Sequence, residues 1–180
     1  VRSIEGIMKK CFLFLIVFSI LHLTACGFSS SGMIHSRLAE LNNATAEKTA
    51  QNQMDEIQSA IDAQDNEKVK TLFAPAVKDT TVLDDGISTL ISLFHNQINS
   101  VERSGGSESE ENNYGDKIAT YAYHFLIDTK AQDYVLIIFG CTDDYRSSDN
   151  IGMTKILVMP SSWEECPDEV GDTGIFIYTE

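Results

Sequence analysis

The hydrophobic period changes once along this chain, near Ile98, and that change constrains the fold more than any other feature. Before it, apolar residues recur every three or four positions. Ala50, Met54, Ile57 and Ile61 share one face of a helix expected over Thr45–Ala63, while Glu47, Lys48, Asp55, Glu56 and Asp62 take the other. Asp65 is a good N-cap for a second, short helix with Val69, Leu72 and Phe73 as its stripe and Pro75 just beyond its end. A third helix carries Leu83, Ile87, Leu90, Ile91, Phe94 and Ile98 on one side, with Asp84 or Asp85 near its start.

After Ile98 the period falls to two. A short strand is expected over Ile98–Arg103, and the Gly/Ser/Glu-rich stretch Ser104–Asn113 reads as a solvated loop. Lys117–Asp128 is a long strand with Tyr121, Tyr123, Phe125 and Ile127 on one face. Thr129-Lys130-Ala131-Gln132 makes the turn into Tyr134–Cys141, which is apolar on both faces. Thr142–Asn150 turns again into Ile151–Met159, stopped by Pro160. After a long loop holding Trp163, Ile175–Thr179 is a final edge strand. Three helices followed by a meander of strands is an α+β domain, with helices packed on one face of a curved antiparallel sheet. The far face would carry Leu136, Ile138, Ile156 and Val158, or their alternates. An uncovered apolar face implies a second copy or a protein partner docked there.

Ahead of this domain lies a leader. Lys9 and Lys10 precede the apolar run Cys11–Leu23, which falls short of the ~20 residues that span a bilayer. Leu23-Thr24-Ala25-Cys26 then places small residues before a cysteine. Together these are a basic segment, an apolar segment and a cleavage site, the parts of an export signal. The four closing residues resemble the bacterial lipobox. That resemblance implies cleavage between Ala25 and Cys26, and a lipid on the Cys26 thiol. Acyl chains contribute about 0.8 kcal/mol per buried methylene, so two chains on one cysteine would hold firmly. The expected organisation is a lipoprotein signal over residues 1–25, a flexible tether over 26–43 and a single α+β domain over 44–180. The expected location is the extracytoplasmic face of the cell membrane. Val1–Ile7, upstream of Met8, show no apolar pattern and read as an upstream start artefact or an extended basic segment.

The formal net charge is −14, and losing the leader makes it more negative, because Arg2, Lys9 and Lys10 leave with a single acid, Glu5. Such a body does not bind a phosphate backbone, which needs clustered Lys and Arg, so no nucleic-acid partner is expected. Anionic lipid does not attract it either, so the membrane contact rests on Cys26. Outside the leader and the lipid site, Cys141 and Cys166 remain. The strand reading puts them at opposite ends of the sheet, ~30 Å apart against the ~7 Å Cα limit for a disulfide, unless the long loop folds back.

The order of elements resembles the nuclear transport factor 2-like, or cystatin-like, cone, a fold that also includes ketosteroid-isomerase-type enzymes. Ala60-Ile61-Asp62-Ala63-Gln64-Asp65 running into Leu72-Phe73, the Ile127-Asp128-Thr129…Tyr134 hairpin and Gly152 are similar to a family of uncharacterised bacterial lipoproteins. The likeness spans about Thr45 to Thr179 and carries no assigned catalytic residue.

Chemistry is sparse. His95 follows core Phe94 and His124 sits mid-strand in opposite phase to Tyr123 and Phe125; neither has a second ligand at metal spacing. An enzyme site in such a cone would need an acid or base facing an apolar pocket, and Tyr121, Tyr123, Phe125 and His124, with Asp128 as the nearby carboxylate, are the candidate lining. Asp143, Asp144, Asp149 and Asn150 crowd one turn, and Asp168, Glu169 and Asp172 another, without the spaced calcium loop and its central Gly. No cofactor, metal or catalytic residue is therefore expected. The leading reading is a non-catalytic ligand- or protein-binding lipoprotein. The alternative is an isomerase- or dehydratase-like enzyme using the cone pocket, and a third is solute capture for a transporter.

Overall fold

The computed structural model describes residues 30–78, 81–163 and 171–179, with side chains from residue 45 onward. Ala25 and Cys26, the leader, and Cys166, Asp168 and Glu169 lie outside the described residues. Residues 43–180 form one compact unit and are treated by themselves.

Helix α1 covers Ser30–Ala63, starting well before the expected Thr45. Met33, Ile34, Leu38 and Leu41 already recur at helical spacing. The small residues Ser29–Gly32 give the start of this segment the composition of a spacer, although the apolar repeat runs through its later part. Its expected stripe is buried, with Ala50, Ile57 and Ile61 at 0% exposure. The helix closes with Gln64 at φ 54, its amide donating to Ile61 O and the Asp65 amide to Ala60 O, the paired bonds of a Schellman cap. Asp65 then accepts from Lys68 N at 2.9 Å and starts α2, Asn66–Thr71. A single turn, α3, covers Pro75–Lys78, and α4 covers Thr81–Phe94. Leu83, Ile87, Leu90, Ile91 and Phe94 are buried as the spacing predicts. Ile98 is not part of that stripe, because Asn96 at φ 60 ends the helix and Ile98 opens the sheet.

Five strands follow: β1 Ile98–Asn113, β2 Asp116–Thr129, β3 Tyr134–Asp144, β4 Gly152–Pro160 and β5 Gly174–Ile177, in that spatial order. Two expectations are corrected. Residues 104–113 are not a loop but the second half of β1, paired with β2 as far as Asn113↔Asp116. Tyr114 and Gly115, at φ 56 and 102, make a two-residue turn of the type that matches strand twist. The strand lies on the sheet edge and is mostly exposed, so no apolar alternation announced it. The second correction concerns β5, which runs parallel to β4, so the sheet is mixed. A parallel return needs a connection of about a dozen residues or more, and the chain between Pro160 and Gly174 is long enough to supply it.

The sheet has two different faces. Tyr121, Tyr123, Phe125 and Ile127 join Leu136, Ile138, Ile156 and Val158 in one buried cluster with the stripes of α1 and α4. These β3 and β4 residues therefore face the helices, and their alternates Val135, Ile137, Phe139, Leu157 and Met159 occupy the far face. Burying each large apolar side chain contributes about 1.5–3 kcal/mol. The helical half is stitched to the sheet through backbone as well. Ala74 N donates to Met153 O at 2.8 Å and Met153 N to Leu72 O at 3.1 Å. Gly152, at φ 131, makes this contact possible, since a Cβ there would lie 2.9 Å from Ala74 N. Gly152→Ala is accordingly expected to cost about 1–3 kcal/mol through overpacking and strain. Urea denaturation should show a lower midpoint with an unchanged slope.

Candidate functional site

Two neighbouring tyrosines build the polar end of the helix-facing side. Each ring lies across a glycine on an adjacent strand, Tyr121 over Gly140 of β3 and Tyr123 over Gly106 of β1. A Cβ added at either glycine would fall 2.2 Å from the tyrosine side chain, at the Tyr121 hydroxyl for Gly140 and at the Tyr123 ring for Gly106. The rings fit only because those strands carry no side chain there.

Tyr121 donates its hydroxyl to Gln53 Oε1 of α1 at 2.8 Å, one polar pair inside an otherwise apolar interface. Tyr123 donates to the Glu108 carboxylate on β1. Arg103 sits 5.8 Å from the centre of the Tyr123 ring and pairs with Glu47 of α1 at 2.6 Å. Glu47, Arg103, Tyr123 and Glu108 thus form a chain of contacts joining α1 to the outer strand. Deeper in, Phe94 and Phe125 are both at 0% exposure, and Phe94 meets Tyr134 edge-on at 5.4 Å.

The candidate lining residues separate accordingly. Tyr121, Tyr123 and Phe125 share the helix-facing side as core rings, and His124 lies on the opposite face, half-buried. Of the four, Tyr121 also lines the concavity on the far side of the sheet. Burial raises the Tyr121 hydroxyl to about 12, its bond to Gln53 opposing. Burial likewise pushes the Tyr123 hydroxyl up, reinforced by the Glu108 carboxylate beside it. Phenols held neutral in this way are poor bases at ordinary pH.

The other candidates are tied into local structure. Two contacts hold His95. Its Nδ1 lies 3.1 Å from Ile61 O and its Nε2 lies 2.6 Å from Asn96 Nδ2. With the proton assigned to Nδ1, it donates to the end of α1 and accepts from Asn96. Asp128 accepts from Asn99 at 3.4 Å across the β1–β2 pair. Asp144 accepts from Asn150 Nδ2 at 2.7 Å and Arg146 N at 2.8 Å, and these bonds hold its carboxyl below the usual range. Its turn uses its own carboxylate. Among the described residues no group of three His, Cys, Asp or Glu side chains is placed to hold a metal ion.

A concavity does exist, on the far face. It measures about 290 Å³ and spans β1 to β4. One paired row, Ser107, Ala122, Phe139 and Lys155, crosses its floor, and Ser109, Thr120 and Cys141 form the next. Cys141 is a free, buried thiol that donates to Asp143 O at 3.2 Å, and burial raises its pKa above the ordinary thiol value. Three of its lining residues, Ser107, Glu108 and Ser109, belong to the stretch 104–113 that reads as a loop, so the sequence does not announce this concavity.

A protein-family model matches residues 56–161, from the second half of α1 to just past β4. The chain belongs to the family described as Domain of unknown function (DUF5104). The matched region includes each segment that carried the likeness noted above: Ala60–Asp65 with Leu72-Phe73, the β2–β3 hairpin and Gly152. Residues outside it include the start of α1 and all of β5. No curated protein matches the chain. Among the described residues, no helix is long and apolar enough to cross a membrane.

The raised Tyr121 pKa makes a pH prediction. The neutral phenol is the form the fold favours, so its contribution is complete below pH ~10 and is lost as pH rises toward about 12. At ~1.4 kcal/mol per pKa unit the loss is roughly 3 kcal/mol. Tyr121→Phe should remove that part of the alkaline decline, while costing about 1–3 kcal/mol at neutral pH by stranding Gln53. Urea denaturation of both proteins between pH 8 and 11.5 checks the crossing trend.

Proposed function

We propose that the protein is a lipid-anchored lipoprotein on the extracytoplasmic face of the cell membrane, and that its folded body is a non-catalytic ligand- or protein-binding domain. The α+β body is, in this reading, a version of the nuclear transport factor 2-like cone with its mouth filled. One observation carries the non-catalytic part. The helix-facing side, where a cone enzyme keeps its acid or base, holds Phe94, Phe125 and Tyr123 at 0%, 0% and 6% exposure. A buried aromatic core gives a substrate no room and water no entry. The acidic body has no electrostatic attraction of its own to anionic lipid, so in this reading the attachment rests on Cys26 alone. On the far face of the sheet only Val135, Phe139 and Met159 are half-exposed, Ile137 and Leu157 being buried at 7% and 1% exposure, so an encounter surface there would rest on those three side chains.

The membrane attachment in this proposal rests on the Leu23-Thr24-Ala25-Cys26 run. Expressed from the whole coding sequence, wild-type protein should partition with membranes. Its N-terminal peptide should begin at Cys26 and carry acyl mass. Cys26→Ser should shift the protein to the soluble or unprocessed fraction. An unmodified thiol at Cys26, or an uncut leader, would overturn the anchoring. Tyr121→Phe separates the enzyme alternative, since a cone enzyme using that hydroxyl would lose turnover of its substrate and a binding domain would keep its affinity.

A further inference from the structure

The far-face concavity has a charge arrangement that selects a ligand class. Lys155 and Asp172 both line it. Neither makes an ion pair within 4.0 Å with any described residue. The Lys155 ammonium sits 4.4 Å from the centre of the Phe139 ring, which fixes its position over an apolar floor. Ser107, Ser109, Thr120 and Thr154 supply hydroxyl groups around them. The Glu108 carboxylate is already committed to the Tyr123 hydroxyl.

We propose that this cleft binds a small zwitterion of the free amino acid class, its carboxylate on Lys155, its ammonium toward Asp172 and its remainder against Phe139 and Ala122. The proposal deepens, and rests on, the reading of the body as a non-catalytic binding domain. Three physical points select the class. A chain of net charge −14 repels a simple anion, so Lys155 holds a carboxylate best when the ligand brings a positive charge of its own. A simple cation would meet Asp172 but would also face the Lys155 ammonium. A zwitterion satisfies both charges and carries no net charge against the body's field. Size agrees as well. At about 30 Å³ per water, a cavity of about 290 Å³ holds roughly ten water volumes, below the usual range for drug-sized ligands and suited to a small metabolite. The hydroxyl groups adapt to either end as donors or acceptors.

The full chain, purified in mild detergent, is titrated calorimetrically with glycine, L-alanine, L-valine and L-glutamine. N-acetyl-L-alanine and L-alanine methyl ester, each lacking one charge, serve as blocked probes. At least one amino acid should bind saturably, and at least 10-fold more tightly than either blocked form. Lys155→Met keeps an apolar chain over Phe139, and Asp172→Asn keeps the shape. Each should weaken binding at least 10-fold while the unliganded melting temperature stays unchanged. Absence of binding by all four amino acids, equal binding of a blocked form, or undiminished binding by both variants would overturn the site. Such a failure leaves the Cys26 attachment and the protein-binding arm of the proposed function standing. Recovery of the amino acid chemically altered would instead sink the non-catalytic reading while supporting the cleft.

Discussion

Burial of one sheet face beneath α1 and α4 is the contact on which the rest of the molecule depends. Phe125 and Ile127 of β2, Leu136 and Ile138 of β3 and Ile156 and Val158 of β4 meet Met54, Ile57, Leu83, Leu90 and Phe94 in one cluster. Each helix is apolar along one stripe only, and the sheet offers the matching apolar face, so neither could bury that surface alone. The short backbone bridge between Phe73 and Met153 then fixes where the helical half sits along β4. That placement in turn sets α4 against β5, where Gly86 lets the chain approach Ile175 closely.

Polar contacts are arranged around this core rather than within it. Among the described residues the buried polar groups are partnered: Tyr121 and Gln53 satisfy one another, and Thr129 donates its hydroxyl to Gln132 O. The Glu47–Arg103 pair is partly exposed and is therefore worth little by itself, about 0–1 kcal/mol. Its role is geometric, since it ties the first helix to the outer strand beside Tyr123. Filling the helix-facing side with aromatic rings leaves the other sheet face as the place where a concavity and an apolar row coexist.

The helical stripes, the long β2 strand with its four apolar alternates and the Asp65 cap could all be read directly, because each follows from residues within a few positions of one another. The start of α1, the second half of β1 and the direction of β5 could not. In α1 the composition of a spacer overlay a helical repeat in Ile34, Leu38 and Leu41. In β1 the edge position removes the apolar alternation that marks a strand, and the backbone ladder to β2 carries the structure instead. The cleft was hidden for the same reason, since Ser107 and Ser109 become neighbours of Phe139 and Lys155 only after that ladder forms.

Local pattern determined the class: helical repeats first, alternation after, with turns where Gly, Pro and Asp fall. It also set the acidic charge and the Leu23–Cys26 run from which the anchoring is proposed. Tertiary structure decided which face of each strand is the core. Leu136 and Leu157 lie on strands that are apolar on both sides, and nothing within either strand distinguishes their faces. Packing against the helices chose, because the register that aligns Tyr123 with Ile138 and Ile156 is the one that lays a continuous apolar surface beneath α1 and α4.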